Sequence, residues 1–288
     1  MSGCVNRTKW SIGLVLSAAL LLTPLTVDAK TAELWTADHV ARLRMTLSPR
    51  ISPDGRHVVY LKAVPRDPKA KGDGRSFLGL QVVSVDGKRD RAFISGRQSV
   101  YTPRWTPDGR HISFLARRGK DKHLSLYAIP VDGGEARRVL GFETGIQGYS
   151  WHPDGKRVAF IATKAVAKKK KKAHQHGFDQ EIFEEELRPA HVWIGHAQWS
   201  ATPAKKAVKP RRLTLKGSAL KLAFSPQGDR LAVVLAKSPK TDDRLMRSRL
   251  HVVDLKGKKI GVLARDGKLA GFAWAPDGKH LAVIAAAD

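Results

Sequence analysis

One short turn sequence returns five times along the chain and constrains the fold more than any other feature. The first copy reads Ile51-Ser-Pro-Asp-Gly-Arg-His-Val-Val-Tyr60, and the other copies span 105–114, 151–160, 224–233 and 274–283. The glycines of consecutive copies are 54, 46, 73 and 50 residues apart. Self-similarity at a period near 50 residues is typical of proteins that repeat one supersecondary unit.

The chemistry of this turn predicts a β-hairpin. Proline presets φ for the first central position of a type I turn, aspartate tolerates the second, and glycine adopts the positive φ that closes the hairpin. An apolar or aromatic residue precedes each turn, and an alternating run such as His111-Ile-Ser-Phe-Leu115 follows it. Both flanks therefore read as strands.

Two more strands follow each hairpin, so that each repeat predicts four strands. Third strands are expected at Leu80–Val85, Leu124–Val131 and Leu250–Leu255, and fourth strands at Ala136–Leu140, Arg211–Leu215 and Lys259–Leu263. Four strands in about 45–50 residues are typical of a β-propeller blade. The predicted fold class is all-β, a propeller of four-stranded blades with about four and a half blades in this chain, forming an incomplete or open ring. A short helix from Ala37 to Met45, capped by Thr36, is expected before the first blade.

The spacing of 73 residues indicates an insertion in the third unit, at about 163–189. It holds five consecutive lysines, Lys168 to Lys172, then His174 and His176, then the acidic run Glu184–Glu186. We expect the lysine run to be a mobile, solvated loop. After the insertion, His191–Gly195 has the pattern of the resumed third strand.

The first 29 residues have the three parts of a secretory signal peptide. Arg7 and Lys9 are positive, Ser11–Leu22 is apolar, and Val27-Asp-Ala29 is a small-residue exit. The apolar run is short for a membrane-spanning helix, although an uncleaved anchor is the alternative. The predicted domains are a signal peptide at 1–29 and a propeller at 30–288. We expect a periplasmic or secreted protein with no transmembrane span after cleavage.

The composition limits the kinds of site that the chain can carry. Cys4 is the one cysteine, so neither a disulfide scaffold nor a cysteine-based zinc site is expected. The formal net charge is +26, which favours contact with polyanions such as nucleic acid or anionic lipid. No aromatic interleaving or nucleic-acid fold accompanies the lysines, so specific nucleic-acid recognition is not expected.

The repeats resemble the Pro-Asp-Gly propeller repeats of two exported families. One is the TolB-like propellers; the other is the N-terminal propeller of the prolyl oligopeptidase (S9) family of serine peptidases, which includes dipeptidyl and acylaminoacyl peptidases. The second resemblance is closer, and it rests on Leu47–Tyr60 after a short helix and on Glu184-Glu-Glu-Leu-Arg-Pro-Ala-His-Val-Trp193. It covers about residues 34–285.

The S9 resemblance implies the substrate-gating portion of a serine peptidase without its catalytic α/β-hydrolase domain. That family's nucleophile sits in a Gly-x-Ser-x-Gly elbow, and the nearest sequence here, Gly148-Tyr-Ser-Trp-His152, lacks the second glycine and lies in a predicted strand. We therefore expect no catalytic residue and no cofactor in this chain, and Ser150 is not expected to be a nucleophile. The implied partners are a peptide substrate and a hydrolase domain supplied elsewhere. The alternatives are a non-catalytic TolB-like module that binds an envelope protein, and a basic surface-binding protein.

Three groups of residues are candidates for binding. Glu184, Glu185 and Glu186 resemble the paired propeller glutamates with which some dipeptidyl peptidases hold a substrate amine, although they precede a third strand instead of opening a blade. Lys168, Lys169, Lys170, Lys171 and Lys172 are candidates for polyanion contact. The histidines at 174, 176, 191 and 196 lack a ligand spacing, so no metal site is predicted. The alternative for both the glutamates and the lysines is that they are solvated surface charges with no binding role.

Overall fold

The computed structural model describes residues 34–67, 69, 72, 74–178, 180, 187–200, 208–263 and 268–286. Its compact units are 1–40 and 41–288. In the described part of the first unit, helix α1 (Ala37–Ala41) begins after Thr36, whose hydroxyl accepts the His39 backbone N–H at 3.3 Å. The helix is shorter than predicted, because Met45 already opens the first strand. All the described strands belong to the second unit.

The second unit is a series of antiparallel sheets whose strands follow one another in chain order. Four sheets have four strands each and the fifth is a two-stranded hairpin. The strands of the first two sheets are β1 (Met45–Ile51), β2 (His57–Val64), β3 (Phe77–Ser84), β4 (Asp90–Ile94), β5 (Val100–Trp105), β6 (His111–Ala116), β7 (Ser125–Pro130) and β8 (Arg137–Leu140).

The third and fourth sheets have the same order as the first two. Their strands are β9 (Gly148–Trp151), β10 (Arg157–Thr163), β11 (Ala190–His196), β12 (Arg211–Arg212), β13 (Ser218–Phe224), β14 (Arg230–Ala236), β15 (Arg249–Asp254) and β16 (Lys259–Leu263). The hairpin is β17 (Leu269–Trp274) with β18 (Leu281–Ala285), and helices α2 (Lys168–Gln175) and α3 (Thr241–Leu245) lie in connections. The predicted all-β fold class with four and a half blades is confirmed.

Apolar side chains between consecutive sheets form the core. One cluster joins the first and second sheets through Val59 and Phe114, and the next joins the second and third through Leu126 and Phe160. Two further clusters join the third sheet to the fourth and the fourth to the hairpin. The second, third and fourth sheets thus each bury one face against the sheet before them and the other against the sheet after them, as expected of a repeat architecture.

The repeated turn is held by its own side chains. In the first copy, the Ser52 hydroxyl donates to the Asp54 carboxylate at 2.5 Å and accepts the His57 backbone N–H at 2.9 Å, while Gly55 has φ +73°. The same Asp carboxylate accepts the Arg56 N–H at 3.1 Å. Turn formation therefore explains the aspartates of the motif, as the sequence indicates.

Aromatic residues at the start of the motif tie each sheet to its predecessor. The indole N–H of Trp105 donates to the Arg50 carbonyl at 3.0 Å, and that of Trp274 donates to the Ala223 carbonyl at 3.2 Å. The Trp151 indole donates to the Ser113 hydroxyl at 2.8 Å. These side chains pack between sheets, as predicted, and each carries its polar N–H to a partner there.

Candidate functional site: a basic cleft between the second and third sheets

A cleft of about 640 Å³ opens where the outer strands of the second sheet face the third sheet. The loop between β6 and β7 forms one wall, β8 and the residues after it form the floor, and the segment around Pro210 closes the other side. Its charged and imidazole side chains are those of Lys120, Asp121, Lys122, His123, Arg138, Glu143, His196 and Lys209.

A hydrogen-bonded triad links one wall of the cleft to its floor. The Tyr127 hydroxyl donates to Asp121 Oδ2 at 2.7 Å, and Arg138 Nη1 donates to Asp121 Oδ1 at 2.6 Å. Burial raises the pKa of Asp121, but the Tyr127 and Ser125 hydroxyls and the Arg138 charge outweigh it, so that the pKa lies below its usual value. Burial and the neighbouring carboxylate raise the pKa of Tyr127 to about 12. The triad is therefore a neutral ion pair with a protonated tyrosine at neutral pH.

The remaining charges make the cleft basic. Because Asp121 neutralises Arg138, the ammonium groups of Lys120, Lys122 and Lys209 outnumber the Glu143 carboxylate. All three lysines are exposed, so their attraction for an anion is screened by salt. The cleft suits weak contact with an acidic chain. Within the described residues, no cluster of three or more His, Cys, Asp or Glu side chains is arranged to hold a metal ion.

The residues singled out from the sequence do not converge on this cleft. Glu184, Glu185 and Glu186 lie outside the described residues. Of the four histidines, His196 reaches the cleft, whereas His191 lies in β11 beside Arg212. Burial and the Arg212 charge lower the pKa of His191.

The predicted loop at Lys168–Lys172 is wrong, because these residues lie in helix α2. Lysine has a good helix propensity, and the run contains neither proline nor glycine to stop a helix. Successive lysines of a helix point in different directions, about 100° apart. Lys168 and Lys172 are exposed and face like charges one turn apart.

Ser150 has a structural position that differs from that of a catalytic serine. It lies within strand β9 and is buried, and its hydroxyl accepts the Phe224 backbone N–H at 3.1 Å. The hydroxyl thereby joins the third sheet to the fourth. This agrees with the expectation that Ser150 is not a nucleophile.

The sequence contained one signal for the cleft that the repeat pattern obscured. The loop Arg117-Arg-Gly-Lys-Asp-Lys-His123 concentrates basic residues around a single aspartate. The partners of that aspartate come from β7 and β8, which only the sheet topology brings beside the loop.

No family model matches the chain. Two curated proteins match short segments of it. The chain is 40% identical over 43 residues to the Tol-Pal system protein TolB of Chromobacterium violaceum. It is 36% identical over 67 residues to Dipeptidyl-peptidase 5 of Porphyromonas endodontalis. These matches span 10% and 9% of the two proteins.

The fold is that of a solved peptidase propeller. Acylaminoacyl peptidase of Pyrococcus horikoshii superposes with a TM-score of 0.52 at 14% identity, over 82% of this chain and 35% of that one. A structure of acylaminoacyl peptidase in complex with Z-Gly-Gly-Phe-chloromethyl ketone gives a TM-score of 0.53 over the same shares. The chain thus spans about a third of those proteins. The resemblance to S9 and TolB propellers that the repeats indicate is confirmed at the level of fold and of short sequence segments.

Proposed function

We propose that this chain is the substrate-gating propeller of an exported serine peptidase of the prolyl oligopeptidase type, acting with an α/β-hydrolase domain. The observation that carries the proposal is the 36% identity with Dipeptidyl-peptidase 5 over 67 residues. The fold alone does not distinguish this role, because propellers serve many functions. The segment matched to the peptidase is longer than the 43 residues matched to TolB.

The division of labour between the two parts follows from the chemistry. Acyl transfer from a peptide needs an activated nucleophile, a general base and an oxyanion hole. In this proposal the hydrolase domain supplies those groups, while the propeller restricts access and contacts the peptide. The lysines around the cleft between the second and third sheets favour acidic peptides.

The location of the protein is part of the proposal. Residues 1–29 have the pattern of a signal peptide and lie outside the described residues. In the parts of the chain that are described, no helix has both the length and the apolar character to cross a membrane. The proposed compartment is the periplasm or the exterior.

The test is an affinity isolation from the source cells. An antibody raised against the chain isolates the native protein after the cell envelope fraction has been treated with a biotinylated fluorophosphonate, which labels active serine hydrolases. The proposal predicts that the isolated material, as one longer polypeptide or as a complex, carries the label on a serine in a Gly-x-Ser-x-Gly sequence. Pretreatment with unlabelled fluorophosphonate abolishes the signal.

The second candidate is a TolB-like module that binds an envelope protein. It is favoured by the 40% identity with TolB over 43 residues. It predicts native protein that carries no fluorophosphonate label and is recovered with an envelope protein after crosslinking. That outcome contradicts the peptidase proposal.

A further inference from the structure

Arg50 and Arg104 occupy the same place in consecutive repeats. Each follows a Ser-Pro or Thr-Pro pair and directly precedes the residue that opens the turn motif, whereas the later repeats carry Ser150, Ala223 and Ala273 there. The first strands that carry the two arginines, β1 and β5, contact each other. The repeat therefore brings two guanidinium groups to neighbouring positions.

The same backbone feature precedes both arginines. The register of β1 with β2 and of β5 with β6 breaks immediately before Arg50 and Arg104. In each break one residue, Ser48 or Thr102, has a φ of 52°, which non-glycine residues rarely adopt. Bulges of this kind redirect side chains, and strained backbone of this kind is frequent where proteins bind ligands.

The Arg104 guanidinium lacks an acidic partner among the described residues. It stacks over the Tyr149 ring at 5.8 Å, and its Nε is buried without a hydrogen-bond partner. Burial, and then the nearby Arg50 charge, lower the pKa of Arg104, although arginine stays protonated at neutral pH. Arg104 as a whole is half-buried, and a partly buried cation without a counter-charge favours binding of an anion.

A pocket of about 310 Å³ lies at this point, and both arginines line it. Its walls are otherwise largely apolar and aromatic and include Ile51, Trp105 and Trp151. Its volume is at the lower end of those of small-molecule sites, which combine apolar walls with a few polar groups. The basic cleft described above differs, since its arginine is already paired with Asp121.

We propose that this pocket is a carboxylate-binding site for peptides, in which Arg50 and Arg104 hold the carboxylate and the apolar walls receive the adjoining side chain. A guanidinium presents two parallel N–H donors that match the two oxygens of a carboxylate, which makes such pairs strong and oriented. The carboxylate can come from a peptide C-terminus or from an acidic side chain. The site requires no hydrolase domain, so its test is independent of the test of the proposed function.

Calorimetric titration of the chain with three tripeptides tests the site and identifies the source of the carboxylate. The probes are Ala-Ala-Leu with a free C-terminus, Ala-Ala-Leu amide, and Ala-Ala-Asp amide. We expect one or both of the carboxylate-bearing peptides to bind at least about tenfold more tightly than Ala-Ala-Leu amide. Preference for Ala-Ala-Leu assigns the C-terminus, and preference for Ala-Ala-Asp amide assigns the side chain.

Three variants and a control assign the binding to these arginines. Arg104→Gln and Arg50→Gln are each expected to weaken binding about tenfold or more, and Arg104→Lys is expected to weaken it too, because lysine lacks the paired donors. Arg97→Gln removes the same charge from an exposed loop position and leaves affinity unchanged. Thermal unfolding confirms that each variant is folded, and Arg50→Gln, at an exposed position, keeps the test valid if Arg104 variants unfold.

Several outcomes overturn the proposal. These are no binding of any probe at millimolar concentration, equal affinity for Ala-Ala-Leu and its amide together with no gain for Ala-Ala-Asp amide, and an equal loss of affinity in Arg97→Gln. The last result assigns the affinity to the overall positive charge of the chain.

Discussion

The turn glycines allow a positive φ and, at some positions, the close approach of a neighbouring turn. Single substitutions distinguish these two effects. Gly55 and Gly228 both have a positive φ, which a Cβ atom disfavours by about 1–2 kcal/mol. A Cβ on Gly55 meets no atom within 4 Å, whereas one on Gly228 overlaps the His152 imidazole of the preceding sheet's turn. At Gly228, therefore, the turn must also allow close approach of its neighbour.

Replacing each glycine by alanine provides a matched pair. Gly55→Ala is expected to lower the free energy of unfolding by about 1–2 kcal/mol. Gly228→Ala is expected to cost about 1–3 kcal/mol more, since it also displaces His152, whose Nε2 lies 3.1 Å from the Gly228 carbonyl. Urea unfolding measures both, and equal losses contradict this packing of the turns.

Ser113 is a buried polar link between the second and third sheets. Its hydroxyl donates to the Arg104 carbonyl at 3.0 Å, lies 2.9 Å from the Tyr149 hydroxyl and accepts the Trp151 N–H at 2.8 Å. Ser113→Ala leaves the Trp151 N–H without its acceptor and removes the donor to the Arg104 carbonyl, and we expect a loss of about 1–3 kcal/mol in the free energy of unfolding. Tyr149→Phe should lower the free energy of unfolding less in the Ser113→Ala variant than in the wild type, because the Ser113 and Tyr149 hydroxyls share one hydrogen-bond network. Additive losses contradict the coupling.

At the scale of elements, the sequence predicted one fourth strand with its correct bounds and misplaced the end of another. The predicted fourth strand Lys259–Leu263 is observed with the same bounds. The predicted strand at 211–215 ends at Arg212, because Leu213 donates its N–H to Val192 and accepts that of Leu215, which bends the chain. Turn chemistry is local and visible in the sequence, whereas the end of an outer strand depends on its tertiary partners.

The candidate sites were less predictable than the strands, for a physical reason. Helix α2 carries no apolar periodicity, so no amphipathic pattern marks it. The ion pair of Asp121 with Arg138 joins residues 17 positions apart through the sheet, and the pocket of Arg50 and Arg104 joins consecutive repeats. The shared repeat position was present in the sequence, but the missing counter-charge appears only in three dimensions.

The turn aspartates predict acid sensitivity. Burial opposes ionisation of Asp154, but the backbone and guanidinium donors of Arg157 outweigh it and hold the pKa of Asp154 well below its ordinary value of 3.8. A folded-state pKa below the unfolded value gives stability that is present above about pH 4 and is lost as the pH falls further. Asp154→Asn should therefore lower the free energy of unfolding at pH 6. It should also reduce the decrease in that free energy between pH 4 and pH 3.

Urea unfolding at several pH values measures this dependence. Asp132→Asn, in the turn after β7, removes a carboxylate in the same way and is the charge-matched control. An unchanged pH slope in Asp154→Asn, or the same change in both variants, contradicts the assignment.

Helix α2 predicts polyanion contact that is sensitive to salt. The double variant Lys168→Gln, Lys172→Gln should bind heparin more weakly without lowering the melting temperature, because like charges one turn apart do not stabilise the helix. Lys256 and Lys258, in the turn between β15 and β16, provide a control with the same change in charge. Salt-dependent elution from heparin resin measures the affinity. An equal loss in both variants means that only net charge matters, and a large drop in melting temperature means that the run is structural.

At the scale of the whole molecule, the last described hairpin differs from the complete sheets. Strand β18 pairs with β17, and no other described strand lies along its second edge. In this hairpin, the apolar side chain of Ile284 in β18 is 70% exposed. An unpaired apolar edge of this kind is a template for another strand.

Hydrogen exchange tests the state of that edge. Amides of 281–285 should exchange much faster than those of β14, which is paired on both sides, and protection should rise with protein concentration if a second chain adds to the edge. A monodisperse monomer with strong protection throughout 281–285 means that the edge is already covered, and it contradicts the prediction of an open ring.

We propose that this propeller contributes access and binding to a peptidase, but no nucleophile. The most direct test is to treat the purified chain with a fluorophosphonate probe and locate any label by mass spectrometry, alongside peptide and ester hydrolysis. We expect no stoichiometric labelling and no hydrolysis above buffer, since the Ser150 hydroxyl is buried and accepts the Phe224 N–H. Stoichiometric labelling of Ser150 or of any other serine, with turnover that the label abolishes, would contradict this proposal.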